Sequence, residues 1–186
     1  MSQLLSISIP EWLDEVVAAC GGDFASDEAR MRLAIRLSHE NVERGGGPFG
    51  AAVFAGSELV AAGVNRVLDC GLSIAHAEIV ALMHAQTVRP ARPRSDWTLY
   101  ASTEPCCQCF GAVVWSGVTR LVCGAVTGDA EAVGFDEGPK PETWPVSLEQ
   151  RGIAVTLEVC RAEAAAVLQE YKRRGGAIYG LRGAGS

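Results

Sequence analysis

His76-Ala77-Glu78 and Pro105-Cys106-Cys107-Gln108-Cys109 combine three metal-ligating side chains with one carboxylate that ligation does not need. A structural zinc is usually closed by four protein ligands, whereas a catalytic one keeps three and leaves the fourth position to water. His76, Cys106 and Cys109 make three. Cys106 and Cys109 are spaced i, i+3, which puts both sulfurs on one face of a helix, and Pro105 suits the start of that helix. Thiolates at a helix N-terminus are favoured by the helix dipole, and a metal deprotonates them further. Two thiolates and a neutral imidazole make the first shell of Zn²⁺ formally neutral, so water held there needs a nearby base. Glu78 is placed to be that base: two residues past His76, it points to a different azimuth and can face a substrate. Cys107, between the two ligands, points elsewhere. The plainer alternatives are a stray histidine beside a buried CxxC and a structural zinc closed by a fourth cysteine. A redox CxxC explains neither His76 nor Glu78. The ordered pair of motifs is much more specific than either half.

The elements that must position these residues follow from periodicity and punctuation. Pro10 to Cys20 reads as a short helix closed by Gly21-Gly22. Ser26 caps a second helix in which Met31, Ala34, Ile35, Ser38 and Val42 share a face until Gly45-Gly46-Gly47. Ala51–Ala55 and Leu59–Val64 read as paired strands joined at Gly56-Ser57. The His76 helix runs to about Gln86. Trp97–Ser102 is a strand that delivers the chain into the Cys106 helix, which ends near Trp115 to Gly117. Leu121–Val126 and Ile153–Val159 are further strands, and Ala162–Arg173 is a closing helix. Helices interleaved with apolar strands mean an α/β sandwich whose motif helices start beyond strand ends. Between Thr127 and Arg151 there is little periodic pattern, and loops beyond about 12 residues in a compact domain are usually functional or disordered. Phe135 and Trp144 argue against a purely solvated linker there.

The chain has 186 residues, 48% of them hydrophobic and 20% charged, enough for one domain with a sizeable core. We expect residues 26–174 to form it, with an N-terminal extension over 1–25 and a Gly-rich tail over 175–186. Seven cysteines, several in apolar strand-like contexts, suggest a reducing, cytoplasmic setting. Met1 to Pro10 lacks the basic region of a signal peptide, and no stretch approaches the ~20 apolar residues that span a bilayer. The net charge of -6 argues against a nucleic-acid partner. The local basic clusters are Arg89 to Arg94, which reads as a Pro-rich solvated loop, and Lys172-Arg173-Arg174 at a helix end, where cations suit the dipole.

Gly47-Pro48-Phe49-Gly50-Ala51, Gly63-Val64-Asn65, His76-Ala77-Glu78, Ser102-Thr103-Glu104-Pro105-Cys106 and the segment from Ala130 to Gly138 together resemble the bacterial guanine deaminases, a branch of the cytidine deaminase-like superfamily. The resemblance covers roughly Ser26 to Arg173. It implies a three-layer α/β/α fold around a mixed five-stranded sheet, one zinc per subunit, a homodimer, and conversion of guanine and water to xanthine and ammonia. Alternative substrates are another amino-heterocycle (an ammeline-type triazine, guanosine or cytosine) and, less favoured, a tRNA adenosine. Asn65 matches an asparagine that holds the base, and its amide offers donors and an acceptor; a turn residue is the plainer reading. Phe49 matches an aromatic that covers the ring, with a core phenylalanine as the alternative. Backbone amides near Ala77 and Cys106 are candidate donors to developing charge. Glu142, in a Pro-Glu-x-Trp pattern, matches a second catalytic acid or base, against a solvated loop carboxylate. Asp136 and Glu137 are candidate partners for substrate N–H groups. Trp115 is read as packing or a dimer contact. The tail departs from the better-known relatives, in which an aromatic C-terminal segment closes the pocket; Tyr179 is the residue here that such a role would fall to.

Overall fold

The computed structural model describes residues 6–89 and 96–179. The Arg89–Arg94 cluster beyond Arg89 and the Gly180–Ser186 tail lie outside the described residues. The order is α1 (Trp12–Ala19), α2 (Asp27–Glu43), β1 (Gly50–Ala55), β2 (Glu58–Val64), α3 (Val67–Cys70), α4 (Ala77–Val88), β3 (Trp97–Thr103), α5 (Cys107–Ser116), β4 (Arg120–Ala125), α6 (Thr127–Val133), α7 (Trp144–Glu149), β5 (Ala154–Thr156) and α8 (Arg161–Arg173). Among the described residues no helix is long and apolar enough to cross a membrane.

The five strands form one mixed sheet in the order β2-β1-β3-β4-β5. β1 is antiparallel to β2 and β3, while β3, β4 and β5 run parallel. This is the expected mixed five-stranded α/β architecture. Because side chains alternate along a strand, each strand feeds both faces. Ala52, Phe54, Tyr100 and Val122 enter the core under α1, α2 and α8. Ala51, Val53, Leu99, Leu121 and Cys123 enter the opposite one under α4, α5 and α7. Phe54, Tyr100, Leu99 and Val53 have no exposed surface, and each such large apolar group contributes roughly 1.5–3 kcal/mol by leaving water. Gly63 shows how closely the layers approach: a Cβ there would lie 2.4 Å from the Ala81 amide nitrogen of α4.

Ser26 caps α2 as expected, its Oγ accepting from the Ala29 amide at 3.2 Å. Pro10 precedes α1 rather than starting it, and its carbonyl accepts from the Leu13 amide. Two expectations need correction. The segment from Thr127 to Arg151 contains α6 and α7, each under two turns, too short to show a helical period. α3, a single turn, is likewise invisible to periodicity. The last strand is only Ala154–Thr156, because β5 pairs with β4 alone and the chain turns away through Glu158 and Cys160, both at positive φ.

Candidate active site

β1 runs opposite to β2 and β3, so its start lies beside their ends, and one end of the sheet gathers the motifs. Phe49 precedes β1 and Asn65 follows β2; the Asn65 amide donates to the Phe49 carbonyl at 3.1 Å. Asn41 ties this corner together, its Nδ2 donating to the carbonyls of Gly47 and Asn65 at 2.8 and 2.9 Å. β3 leads through Glu104-Pro105 into α5, whose N-cap is Cys106; α4 has His76 as its N-cap. Both metal-motif helices therefore point their N-termini at the same place.

His76, Cys106 and Cys109 put their ligating atoms within 4.8 Å of one another. His76 Nδ1 lies 3.4 Å from the Cys106 sulfur and 3.5 Å from that of Cys109. Tetrahedral zinc with ordinary Zn–N and Zn–S bonds spaces a nitrogen and a sulfur ligand about 3.6 Å apart, so the donor set fits that ion. A hydrogen bond with Cys109 and the contact with His76 hold the Cys106 thiol down to about 4 against its burial. Cys109 is pushed up by sharing that hydrogen bond and by burial. Burial would lower His76, but its contacts with Cys106 and nearby carboxylates outweigh this and raise it. Such a cluster of mutually dependent donors suits a cation that accepts both sulfurs as thiolates.

Glu78, on the first turn of α4, is 8% exposed. Burial, then the Cys106 sulfur, raises its carboxyl above the ordinary glutamate range. A general base that must hold a proton and return it benefits from that shift. Glu78 lines a pocket with His76, Cys106, Glu104, Phe49 and Asn65, closed by Phe135, Asp136, Glu137 and Tyr179. Phe135 packs edge-on against Phe49 at 4.9 Å and Tyr179 at 5.2 Å, giving the pocket an aromatic wall.

Buried polar groups normally find partners. Asn65 Nδ2, Glu137 Oε2 and Tyr179 Oη, all in this pocket, have none among the described residues. Asn65 divides its amide between two tasks: Oδ1 accepts from the Val67 amide at 3.1 Å, shaping the turn, and Nδ2 is left over. Burial, then the Cys106 sulfur, raises Glu137 to about 8. That direction favours the protonated carboxyl, which can donate as well as accept. Burial raises Tyr179 as well. The pocket thus presents donors and acceptors for a flat polar ligand beside an aromatic wall.

Of the other sequence-predicted residues, Asp136 edges the pocket, whereas Glu142 and Trp115 lie outside its lining. Asp136 sits at its mouth, exposed, with Oδ1 accepting from the Gly138 amide at 2.8 Å. Ala77 begins α4 and its side chain is buried in the core under that helix. Glu142 is exposed and outside the pocket lining, on the turn before α7. Trp115 is 85% exposed and flanks an apolar groove with Ile79, Leu82 and Met83, which removes the core-packing reading. Phe135 and Glu104 belong to recognisable motifs but carry no sequence signal for facing the pocket; Tyr179 has no motif at all.

Residues 25–125 match the profile of the cytidine and deoxycytidylate deaminase zinc-binding region. The chain belongs to that family. It is 37% identical over 111 residues to a guanine deaminase of Bacillus subtilis, covering 59% of this chain and 71% of that one. A solved guanine deaminase from Nitrosomonas europaea superposes with a TM-score of 0.85 at 43% identity, over 93% of this chain and 98% of the other. A related protein solved as an asparagine-to-glutamine mutant in complex with 8-azaguanine matches with a TM-score of 0.85 at 43% identity, over 94% of this chain and 98% of that one. It has also been solved with 8-azaguanine as a glutamate-to-aspartate mutant.

Proposed function

We propose that this deaminase hydrolyses guanine to xanthine and ammonia, with one zinc per chain held by His76, Cys106 and Cys109. The observation that carries the reading is the set of unpartnered buried polar atoms of Asn65, Glu137 and Tyr179 beside the ligand triad and Glu78. Relatives that share the fold at 43% identity are guanine deaminases or hold a guanine analogue.

Zinc, when bound, makes its water acidic enough to lose a proton near neutral pH. Glu78 takes that proton and delivers it to N3 as oxygen adds to C2 of the purine. Asn65 Nδ2 donates to an acceptor on the base edge, and Glu137 meets an N–H or the exocyclic amine. Phe49 and Phe135 cover the ring and exclude water. The helix-start amides at Ala77 and Cys106 are the backbone donors nearest the developing charge.

The departing amine needs a proton, which the hydroxyl added at C2 gives up as the C–N bond breaks and the carbonyl forms, and we assign the relay of that proton to Glu142. Support comes from spacing: the substituted asparagine and glutamate of the 8-azaguanine-bound relative are as far apart in sequence as Asn65 and Glu142. In this reading the exposed turn before α7 folds over the mouth when substrate is present.

We take residues 26–174 as the catalytic unit. α1 nevertheless packs Leu13 and Val16 into the main core. A homodimer through the exposed Trp115 face and a cytoplasmic location complete the proposal; the seven free cysteines agree with a reducing compartment.

The test is ammonia release by zinc-loaded protein from guanine, guanosine, cytosine, adenine and ammeline, with a tRNA gel shift alongside. Guanine is expected to be turned over and tRNA not to be held. Activity on cytosine alone, or a tight salt-sensitive tRNA complex, overturns the assignment.

A further inference from the structure

The connection between α6 and α7 carries Phe135 and Glu137 into the pocket, and it has no strand or helix to hold it in place. Its tether is Lys140. The Lys140 ammonium donates to the Pro105 carbonyl and to Thr127 Oγ1, both at 2.7 Å. Thr127 Oγ1 in turn donates to Glu104 Oε2 at 2.7 Å, and the Thr127 amide donates to the same oxygen at 2.9 Å. The ammonium also lies 5.3 Å from the centre of the Trp144 ring, itself buried at the start of α7.

One cation therefore joins the turn before the zinc-ligating helix, the start of α6 and the start of α7. Among the described ion pairs none involves Lys140, so a surface salt bridge is not what holds it. Its hydrogen-bond partners are neutral oxygens, and an ammonium with three donors can bridge such groups at once. Three residues away, Glu137 accepts from the Cys107 amide through its carbonyl at 2.8 Å, while its carboxyl Oε2 has no protein partner among the described residues. The loop is thus fastened beside the start of α5 by the Glu137 carbonyl and by the Lys140 ammonium, and the Glu137 carboxyl is carried by the first of these points.

We propose that Lys140 is a positioning residue, a clasp that fastens the Glu137 loop to the start of the zinc-ligating helix and so fixes where the Glu137 carboxyl meets substrate. The catalytic half of this inference rests on the guanine reading above; the clasp itself does not.

The experiment is a double-mutant cycle on zinc-loaded protein with Lys140→Met, Glu137→Gln and the double variant, together with amide hydrogen exchange without substrate. Lys140→Met keeps the apolar stem over Trp144 and removes the charge. It should lower kcat/KM for guanine about 10- to 100-fold, the usual cost of losing an outer-shell partner, with zinc content and Tm near wild type. In the Glu137→Gln background the same change should cost less than about threefold, because Lys140 acts through Glu137. Exchange at the Cys107 and Gly138 amides should quicken in Lys140→Met. Equal cost in both backgrounds, or unchanged exchange, overturns the clasp. If wild type releases no ammonia from guanine, the function reading fails and exchange alone decides the clasp. Should Lys140→Met not load zinc, Lys140→Gln, which keeps a neutral donor, goes through the same cycle.

Discussion

The Cys107 amide donates to the Glu137 carbonyl across 2.8 Å, so the residue between the two cysteine ligands holds the loop that supplies a second pocket carboxyl. Next to it, Gly138 has φ +66, and a Cβ there would lie 2.5 Å from the Cys107 sulfur. Gly138→Ala is expected to cost about 1–3 kcal/mol through strained backbone and this contact. Cys107→Ala added to it should recover the contact but not the φ strain. Urea unfolding of the zinc-loaded single and double variants measures both; wild-type stability in Gly138→Ala refutes the strain argument.

Glu78→Ala should keep zinc and lose catalysis. The three donors that fit the ion are His76, Cys106 and Cys109, and Glu78 is not among them. Removing a general base of this kind costs about 10²- to 10⁴-fold in rate. Metal analysis beside ammonia release checks it: stoichiometric loss of zinc in the variant makes the ligand assignment wrong.

What could be read in the sequence, and what could not, divides along a physical line. His76, Cys106 and Cys109 are readable because ligand chemistry and helix geometry both constrain their spacing, so type and position carry one message. Asn65 is half readable: its residue type suits both a turn and a ligand, and only coordinates reveal that Oδ1 does one job while Nδ2 is left for the other. Phe135 and Tyr179 reach the pocket from segments without periodicity, carried there by packing, Phe135 on Phe49 and Tyr171, and Tyr179 on Phe135 in turn, rather than by local pattern. α6 and α7 are shorter than the two turns over which a 3.6-residue period becomes visible. The mixed five-stranded sheet follows from the resemblance, and periodicity with the Gly56-Ser57 turn supplies the strands and the first pair; the order of the other strands is seen only in the structure, because their partners are far apart in sequence.

At the opposite end of β3 from the site, Asp27 gives a pH-dependent contribution to stability. Arg120 donates to its two oxygens at 2.8 and 2.5 Å and Tyr100 at 2.6 Å, with Arg30 donating to the Tyr100 hydroxyl at 3.0 Å. The Arg120 hydrogen bonds, then Tyr100, hold its carboxyl below the ordinary 3.8 despite partial burial. A lowered carboxyl stabilises the fold above its unfolded value, and the benefit is lost as pH falls through the folded one. Asp27→Asn should therefore be less stable than wild type by about 1–3 kcal/mol at neutral pH. That gap should close below pH 3.8. Comparing the two proteins cancels metal loss common to both; a gap that persists in acid argues for packing instead of charge.

Glu142 is the hardest case, because its side chain is exposed while the pocket already contains Glu137. Glu78 carries the proton bound for N3, and the amine leaves with the proton that the hydroxyl added at C2 gives up, so a second carboxyl that relays it eases the step. Glu137 is buried in the pocket lining, where it is suited to holding the base; Glu142 is exposed on the turn between Lys140 and Trp144, which would have to fold over the pocket to reach the exocyclic group. If that division of labour is right, Glu142→Gln lowers kcat about 10²- to 10⁴-fold with little change in KM. Glu137→Gln should chiefly raise KM. A solvated loop glutamate would change stability by less than about 0.5 kcal/mol and rate hardly at all. Steady-state kinetics of both variants on guanine decide between them: wild-type kcat in Glu142→Gln, with the loss falling on Glu137→Gln, transfers the acid to Glu137.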